Sequence, residues 1–412
     1  MHDELYEHPL GALVDTDEVH GAQESDRTAP RASLHLHGGN TEPGSDGGPL
    51  DDFPPGTSRT YSYADDQESA GLWYHDHALG ITRLDVWAGL AGGYLLRDAN
   101  DPGDGSTGLP AGPYEVPLVL VVDRTLYRFR IYNGSNSRTY DLRWRVVTTG
   151  AALGLHVIGT DGGLLDAPVP RTSLVLAPGE RADLLVDLSG LPAGARVRLS
   201  NRAKTPYPDG PRPLRLGGAP LPELLQLTAL GPVVAAPPLP TDLRVRTHPV
   251  PRLASYVGAQ TRTRTMTLVE LEGESQPLRA LLNNRRFDDD DALAHPVAQN
   301  TLEVWELVNT TVDAHPIHLH LVQFQVLDRQ LFDAAGYLAA VYGGDPEDVA
   351  GAYPPPPVTP FLRGRTRRPG AHEAGWKDTV LAMPGEVTRI AVPFGQPAGL
   401  PPVMQRYRIA SG

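Results

Sequence analysis

An all-β architecture, with short strands folded into sandwiches or Greek-key barrels, is what the sequence predicts, and three observations carry that expectation. The 43 glycines and 41 prolines among 412 residues interrupt the apolar runs every few residues, which is the punctuation of short strands and turns. Long helical periodicity is hard to find. The length carries a prior of about three domains, each large enough for its own core.

Taken in order, residues 1 to 30 are acidic and weakly patterned and read as loop. The first unit extends to residue 124, and its continuous apolar run Val116 to Val122 reads as a buried strand closed by Asp123-Arg124-Thr125. A middle unit covers 125 to 245. There Asn133-Gly134-Ser135-Asn136 reads as a turn, Leu176-Ala177-Pro178-Gly179-Glu180-Arg181 leads into a strand over Ala182 to Leu188, and the lone His156 reads as structural. The proline-rich stretch 231 to 252 reads as a linker. A third unit runs from 260 to 412, with Thr301 to Val308 a strand, Asp288 to Asp291 a solvated loop, and Pro354 to Pro357 a stiff spacer in an insertion.

Charge and composition exclude some functions. With 36 basic and 49 acidic residues the net charge is -13, which argues against nucleic acid or an anionic membrane as partner. No run of about 18 apolar residues occurs, so no membrane-spanning segment is expected. The opening Met1-His2-Asp3-Glu4-Leu5 lacks both a basic and an apolar leader region, so no secretory signal is expected. Cysteine is absent altogether, which removes disulfides and thiolate ligands from these residues.

The chemistry concentrates in histidine pairs. His35-Leu36-His37 precedes Gly38-Gly39, His75-Asp76-His77 follows Trp73-Tyr74, and His315-Pro316-Ile317-His318-Leu319-His320 supplies a third pair. For 14 histidines, random placement gives roughly half of one such pair, so three exceed the background. Alternation along a strand places His318 and His320 on one face and His315 on the other. Clustered imidazoles suit copper, zinc, iron or nickel. Asp46, in Ser45-Asp46-Gly47, reads from its neighbours as a turn residue.

These three histidine motifs, in this order, resemble three of the four copper-binding motifs of multicopper oxidases. Leu79-Gly80-Ile81-Thr82-Arg83-Leu84, Ala88-Gly89-Leu90-Ala91-Gly92 and Gly375-Trp376-Lys377-Asp378-Thr379 are similar to the bacterial laccase branch, which includes spore-coat laccase, phenoxazinone synthase and bilirubin oxidase. The resemblance spans almost the whole chain. It implies three cupredoxin-like domains and copper as cofactor, with a phenolic or aminophenolic reductant and dioxygen as substrates. By motif position His35 and His318 would bind the type 2 copper, His37, His75, His77 and His320 the type 3 pair, and His315 the type 1 copper. Asp46 matches a family carboxylate that assists proton delivery. A cytoplasmic or spore-associated location is the matching expectation.

The resemblance also exposes gaps. The family carries several further strands before a Tyr-Arg-Phe-Arg segment, whereas here Tyr127-Arg128-Phe129-Arg130 follows Thr125 almost at once. The fourth motif, which brings the cysteine, has no counterpart beyond Pro397-Ala398-Gly399, and Met404 does not match the axial ligand. The first and third domains are therefore expected to be incomplete, with strand edges open to other chains. Laccase chemistry is expected to be impaired for want of a type 1 centre. The alternatives are a non-catalytic copper-binding protein or pseudoenzyme, and a metal-dependent hydrolase that would need Asp46 or Asp76 at the cluster.

Overall fold

The computed structural model describes residues 1, 3, 6–17, 19–116, 121–210, 223–272, 277–285, 296–342 and 355–395. In the first of three groups of strands, β1 (Leu34–His37), β2 (Gly71–Asp76) and β3 (Ala91–Leu95) make one antiparallel sheet, and helix α1 (Thr82–Ala88) bridges β2 and β3. Gly89 at φ 111° ends α1 in the left-handed turn that a residue without Cβ adopts readily. Leu36 and Leu72 fill the small core beneath this sheet.

The middle group comprises β4 (Glu115–Val116), β5 (Val121–Arg124), β6 (Leu126–Tyr132), β7 (Tyr140–Val146), β8 (Ala152–Leu153), β9 (Leu155–Thr160), β10 (Gly163–Arg171), β11 (Leu174–Leu176), β12 (Arg181–Asp187), β13 (Ala195–Asn201) and β14 (Glu223–Val233). They form two sheets, in the orders β10-β9-β12-β6-β4 and β11-β7-β13-β14-β5, with β8 added to β7. Trp144, Leu155, Leu184, Leu185 and Val197 are buried between them. The strand expected over Ala182 to Leu188 is β12, displaced by one residue at each end. Its buried run is near-continuous because the strand is covered on both faces. β4 and β5 pair parallel to β6 and β14, so these two short strands join the middle sheets although they precede residue 125.

The last group holds β15 (Arg262–Glu272), β16 (Pro277–Leu282), β17 (Thr301–Asn309), β18 (His315–His318), β19 (Gln325–Phe332), α2 (Ala334–Tyr342), β20 (Leu362–Arg367), β21 (Thr379–Ala382) and β22 (Glu386–Phe394). A six-stranded sheet in the order β16-β15-β17-β22-β19-β20 faces only the pair β18-β21 among the described residues. Among the described residues the middle group has two sheets of five and six strands, the first group one of three, and the third one of six and a pair. The β17 strand was expected over Thr301 to Val308 and is one residue longer. Asp288 to Asp291, Pro354, Met404 and the centre of the Val116 to Val122 run lie outside the described residues. No helix among the described residues is long and apolar enough to cross a membrane.

A buried ionic cluster ties the first group to the middle one. Arg128 on β6 donates to both oxygens of Asp101 at 2.9 and 2.8 Å and to Asp183 at 2.8 Å, while Arg130 donates to Asp101 at 2.6 Å and to Glu115 at 2.7 Å. Burial pushes the Asp101 carboxyl up, but the guanidinium groups of Arg128 and Arg130 outweigh it and hold the pKa at about 2. Replacing Asp101 by Asn leaves two buried guanidinium groups short of countercharge and is expected to cost about 3–5 kcal/mol. Because the folded pKa lies below the ordinary 3.8, this contribution is complete above that pH and is lost as pH falls toward about 2. Denaturant midpoints of the two proteins should differ most above pH 4 and converge in stronger acid; equal midpoints at neutral pH would contradict the assignment.

Candidate metal centre

Strand pairing builds the centre before any metal does. The β1–β2 register sets His35 opposite His75 and His37 opposite Trp73. The His77 N–H, just past β2, donates to the Ser33 carbonyl at 2.7 Å and keeps the chain alongside β1. The β18–β21 register places His318 opposite Thr379. Beyond His318 the strand stops, and Leu321 takes a left-handed φ of 63°, so His320 comes from a bend. The expected division of the third motif nevertheless holds in space. His318 and His320 lie with ring centroids 5.0 Å apart, whereas His315 turns to Thr311 Oγ1 at 2.7 Å and Glu270 at 3.6 Å.

Six imidazoles meet at one point where the first and third groups of strands abut. His35 lies 5.7 Å from His37, 5.4 Å from His75, 5.3 Å from His77 and 5.7 Å from His318, centroid to centroid. It stacks on His320 at 4.0 Å, and His37 stacks on His318 at 3.6 Å. Trp73 covers His75 at 4.4 Å and His37 at 5.3 Å. Of the residues singled out from sequence, His315 stands apart, and so does the Asp76 carboxylate, which accepts the Ser33 and Ala78 N–H groups at 2.9 and 3.0 Å.

In five of the six rings the outward nitrogen is held by a hydrogen bond, and this fixes which nitrogen of those rings faces inward. The Nδ1–H of His35 donates to the Asp46 carbonyl at 2.8 Å, that of His75 to the Asp76 carbonyl at 2.6 Å, that of His318 to the Asp378 carbonyl at 2.9 Å, and that of His320 to Asp46 Oδ2 at 2.8 Å. His37 is reversed, with Nε2 at 3.1 Å from Thr379 Oγ1 and 3.4 Å from Asp378. These tautomers follow from the hydrogen-bond network. They leave bare lone pairs inside: the Nε2 atoms of His35 and His318 are buried without a hydrogen-bond partner. His37 Nδ1 faces His75 Nε2 at 3.4 Å. Two acceptors at that separation repel unless a cation lies among them, and donation of the outer N–H to a carbonyl or carboxylate is the habit of metal-binding histidines. One nitrogen from each of His35, His37 and His318 lies within 4.8 Å of the others, and His35, Asp46 and His320 form a second such group.

The electrostatics agree. Burial lowers the pKa of His35 and of His77 to about 4 and drives His37 and His75 well below the usual 6.5, with neighbouring imidazoles adding to the effect. These four rings are neutral at pH 7, the form that binds metal. Asp46 follows a 3-10 turn at Pro43–Ser45. Burial raises its pKa, but hydrogen bonds from His320 and His35 prevail and keep it ionised. Gly47 next to it is obligatory, because at φ 73° an added Cβ would sit 1.9 Å from the Leu34 carbonyl. Asp46 is therefore both the turn residue expected from its neighbours and a member of the cluster.

Three further residues support the centre. Arg181, from β12, donates to both oxygens of Asp378 at 2.6 Å, and also reaches the Gly71 carbonyl at 3.2 Å and the Asp161 carbonyl at 2.9 Å. Asp378 in turn stands behind His37 and His318, and Thr379 Oγ1 reaches both rings. Nothing in the spacing marks this set: Arg181 and Asp378 are 197 residues apart, and neither lies in a histidine motif.

Substituting Asn for Asp378 is expected to destabilise the fold by about 3–5 kcal/mol, since Arg181 stays buried without its partner. It should also weaken copper binding about 10–100-fold by freeing His37 and His318. Denaturant midpoint and chelator competition read the two effects separately, and a variant unchanged in both would disprove the supporting role.

With the geometry in place, similarity to known proteins can be stated. Two family models, both described as multicopper oxidase, match residues 26–101 and 249–398. A laccase from Bacillus subtilis is 32% identical over 92% of this chain and 77% of its own length. A laccase from Bacillus stratosphericus is 31% identical over 94% of this chain and 79% of its own. Among solved structures, the McoA multicopper oxidase of the hyperthermophile Aquifex aeolicus superposes with a TM-score of 0.67 at 24% identity, over 89% of this chain and 78% of that one, and so shares the fold. The histidine motifs, the strand architecture and these identities agree: the chain belongs to the multicopper oxidase family, in its bacterial laccase branch.

Proposed function

We propose that this chain is a laccase-like oxidoreductase that holds copper in the six-histidine cluster, with phenols or aminophenols as electron donors and dioxygen as acceptor. We further propose that its oxidation of these donors is impaired. The observation that carries copper binding is the inward-facing set of imidazole nitrogens: His35 Nε2 and His318 Nε2, buried without a hydrogen-bond partner, and His37 Nδ1 facing His75 Nε2 at 3.4 Å. Impairment rests on the absence of cysteine from all 412 residues.

The roles divide as follows. His35 and His318 serve the type 2 position, and His37, His75, His77 and His320 the type 3 pair. Bound copper supplies the one-electron steps by which dioxygen is reduced. Asp46, ionised and hydrogen-bonded to His320, orients His35 and His320 and assists proton delivery to the cluster. Trp73 keeps water from one side of His75 and His37. His315 is left with Thr311 and Glu270, and a blue copper centre requires a thiolate that these residues lack. The grouping of His35, Asp46 and His320 favours one second reading, a metal-dependent hydrolase, because it places a carboxylate beside two imidazoles.

The test is copper loading of the metal-free chain. Copper should bind and be lost in the His35→Ala, His318→Ala double variant, no absorbance should develop near ~600 nm, and oxygen uptake with a phenol should be slow or absent. A stoichiometric blue band, or brisk oxygen uptake, would overturn the proposed impairment. Failure to bind copper would overturn the assignment of the cluster, and ester hydrolysis by zinc-loaded protein would favour the second reading.

A further inference from the structure

Apart from the histidine cluster, β10, residues 250–255 and β19 enclose a cleft of about 780 Å³. Leu165, Val169, Val250 and Leu327 wall it, and Arg252 and Arg368 border it. A volume of this order with apolar walls and a few charged groups is characteristic of a small-molecule site. Val250 and Leu327 also touch the buried group that contains Trp376, so the floor of the cleft is firm.

The charges at the cleft are unequally matched. Asp166 is already engaged: its Oδ1 accepts the Val250 N–H at 2.7 Å, and it lies 3.9 Å from Arg244 and 3.6 Å from Arg252. Arg252 is 63% exposed, and that 3.6 Å contact is too long to occupy its donors. Arg368 is exposed and makes no ion pair among the described residues. It ends a run of four arginines, of which Arg363 is paired with Asp333 at 3.1 Å and Arg367 with Glu386.

The plain role of that run is protective. β20 is an edge strand, and alternating cations at positions 363, 365 and 367 deter pairing with other chains. Arg368 does not fit this account. It falls outside the alternation, beyond the last residue of β20, and borders the cleft. On a chain of net charge -13 two available guanidinium groups make a local positive spot that draws anions.

We propose that this cleft binds a small aromatic carboxylate, with its ring on the apolar walls and its anionic group on Arg252 and Arg368. Planar guanidinium groups match carboxylate geometry, and the walls require an apolar body that an inorganic anion lacks. The proposal does not depend on copper in the histidine cluster.

Titration of the metal-free full-length chain with naphthoate, followed by calorimetry, tests it. Saturable binding of one naphthoate per chain, weakened by salt, is expected, with naphthol and inorganic phosphate each binding at least tenfold more weakly. The Arg252→Gln, Arg368→Gln double variant, both sites being exposed, should keep its melting temperature and lose about tenfold or more in affinity. Absence of saturable binding, equal binding of naphthol or phosphate, or an unaffected double variant would each overturn the proposal. The comparison of the three probes on the unsubstituted chain decides the matter even if the variant folds poorly.

Discussion

The contact on which the rest of the structure depends is the buried pair of Arg181 and Asp378. Arg181 comes from the middle sheets, Asp378 from the segment that enters β21, and the same guanidinium also reaches the Gly71 carbonyl at the start of β2. All three groups of strands are thus pinned at one cation. A Cβ on Gly38, immediately after the first histidine pair, would fall 2.3 Å from Arg181 Nη2 and 2.5 Å from Asp378 Oδ2. The small residue after the ligand pair is therefore a requirement of the ion pair as much as of the turn. Such a pair is not a strong source of net stability, because both charges must be taken out of water. Its effect is to hold the three groups in the arrangement in which the histidines meet.

The same pair sets the chemistry of the rings. Asp378 is fully buried and its pKa is held well below the carboxylate range, since the nearby Arg181 charge and the hydrogen bonds from His318 and His37 outweigh the push from burial. A fixed negative charge behind His37 and His318 favours the tautomers that keep their metal-facing nitrogens bare. Asp46 does the same for His35 and His320 from the opposite side. Two carboxylates, one behind each stacked pair of rings, therefore prepare a metal site in a region where burial alone would only have made the imidazoles neutral.

Much of this was legible in the sequence. Parity along a strand is a local property, so the separation of His315 from His318 and His320 could be read directly, and it survives although the strand ends at His318. The frequency of glycine and proline announced short strands, and β12 and β17 fall within one residue of the strands expected there. What could not be read was the supporting set. Arg181 resembles any charged residue at the head of a strand, and Asp378 any carboxylate near a strand end. Their significance arises only when sheets distant in sequence are brought together, and no periodicity encodes that. The membership of β4 and β5 in the middle sheets was hidden for the same reason, because a short strand belongs to whichever edge it pairs with.

The alternation that sends His315 away from its neighbours also separates the two capacities that the proposed function distinguishes. The six clustered rings take their positions from β1, β2, β18 and the bend after it, and their hydrogen-bond anchors are Asp46, Asp76, Asp378 and Thr379. None of these contacts involves His315, Glu270 or any thiolate. The six rings and these anchors therefore all lie within the described residues. The basis for taking electrons from a donor through a blue centre would have to be assembled on the other face of β18, where a single imidazole is hydrogen-bonded to a threonine. Because a strand presents its two faces independently, the register that gathers His318 with the other rings does not depend on what surrounds His315, and the two capacities of the proposed function are separable.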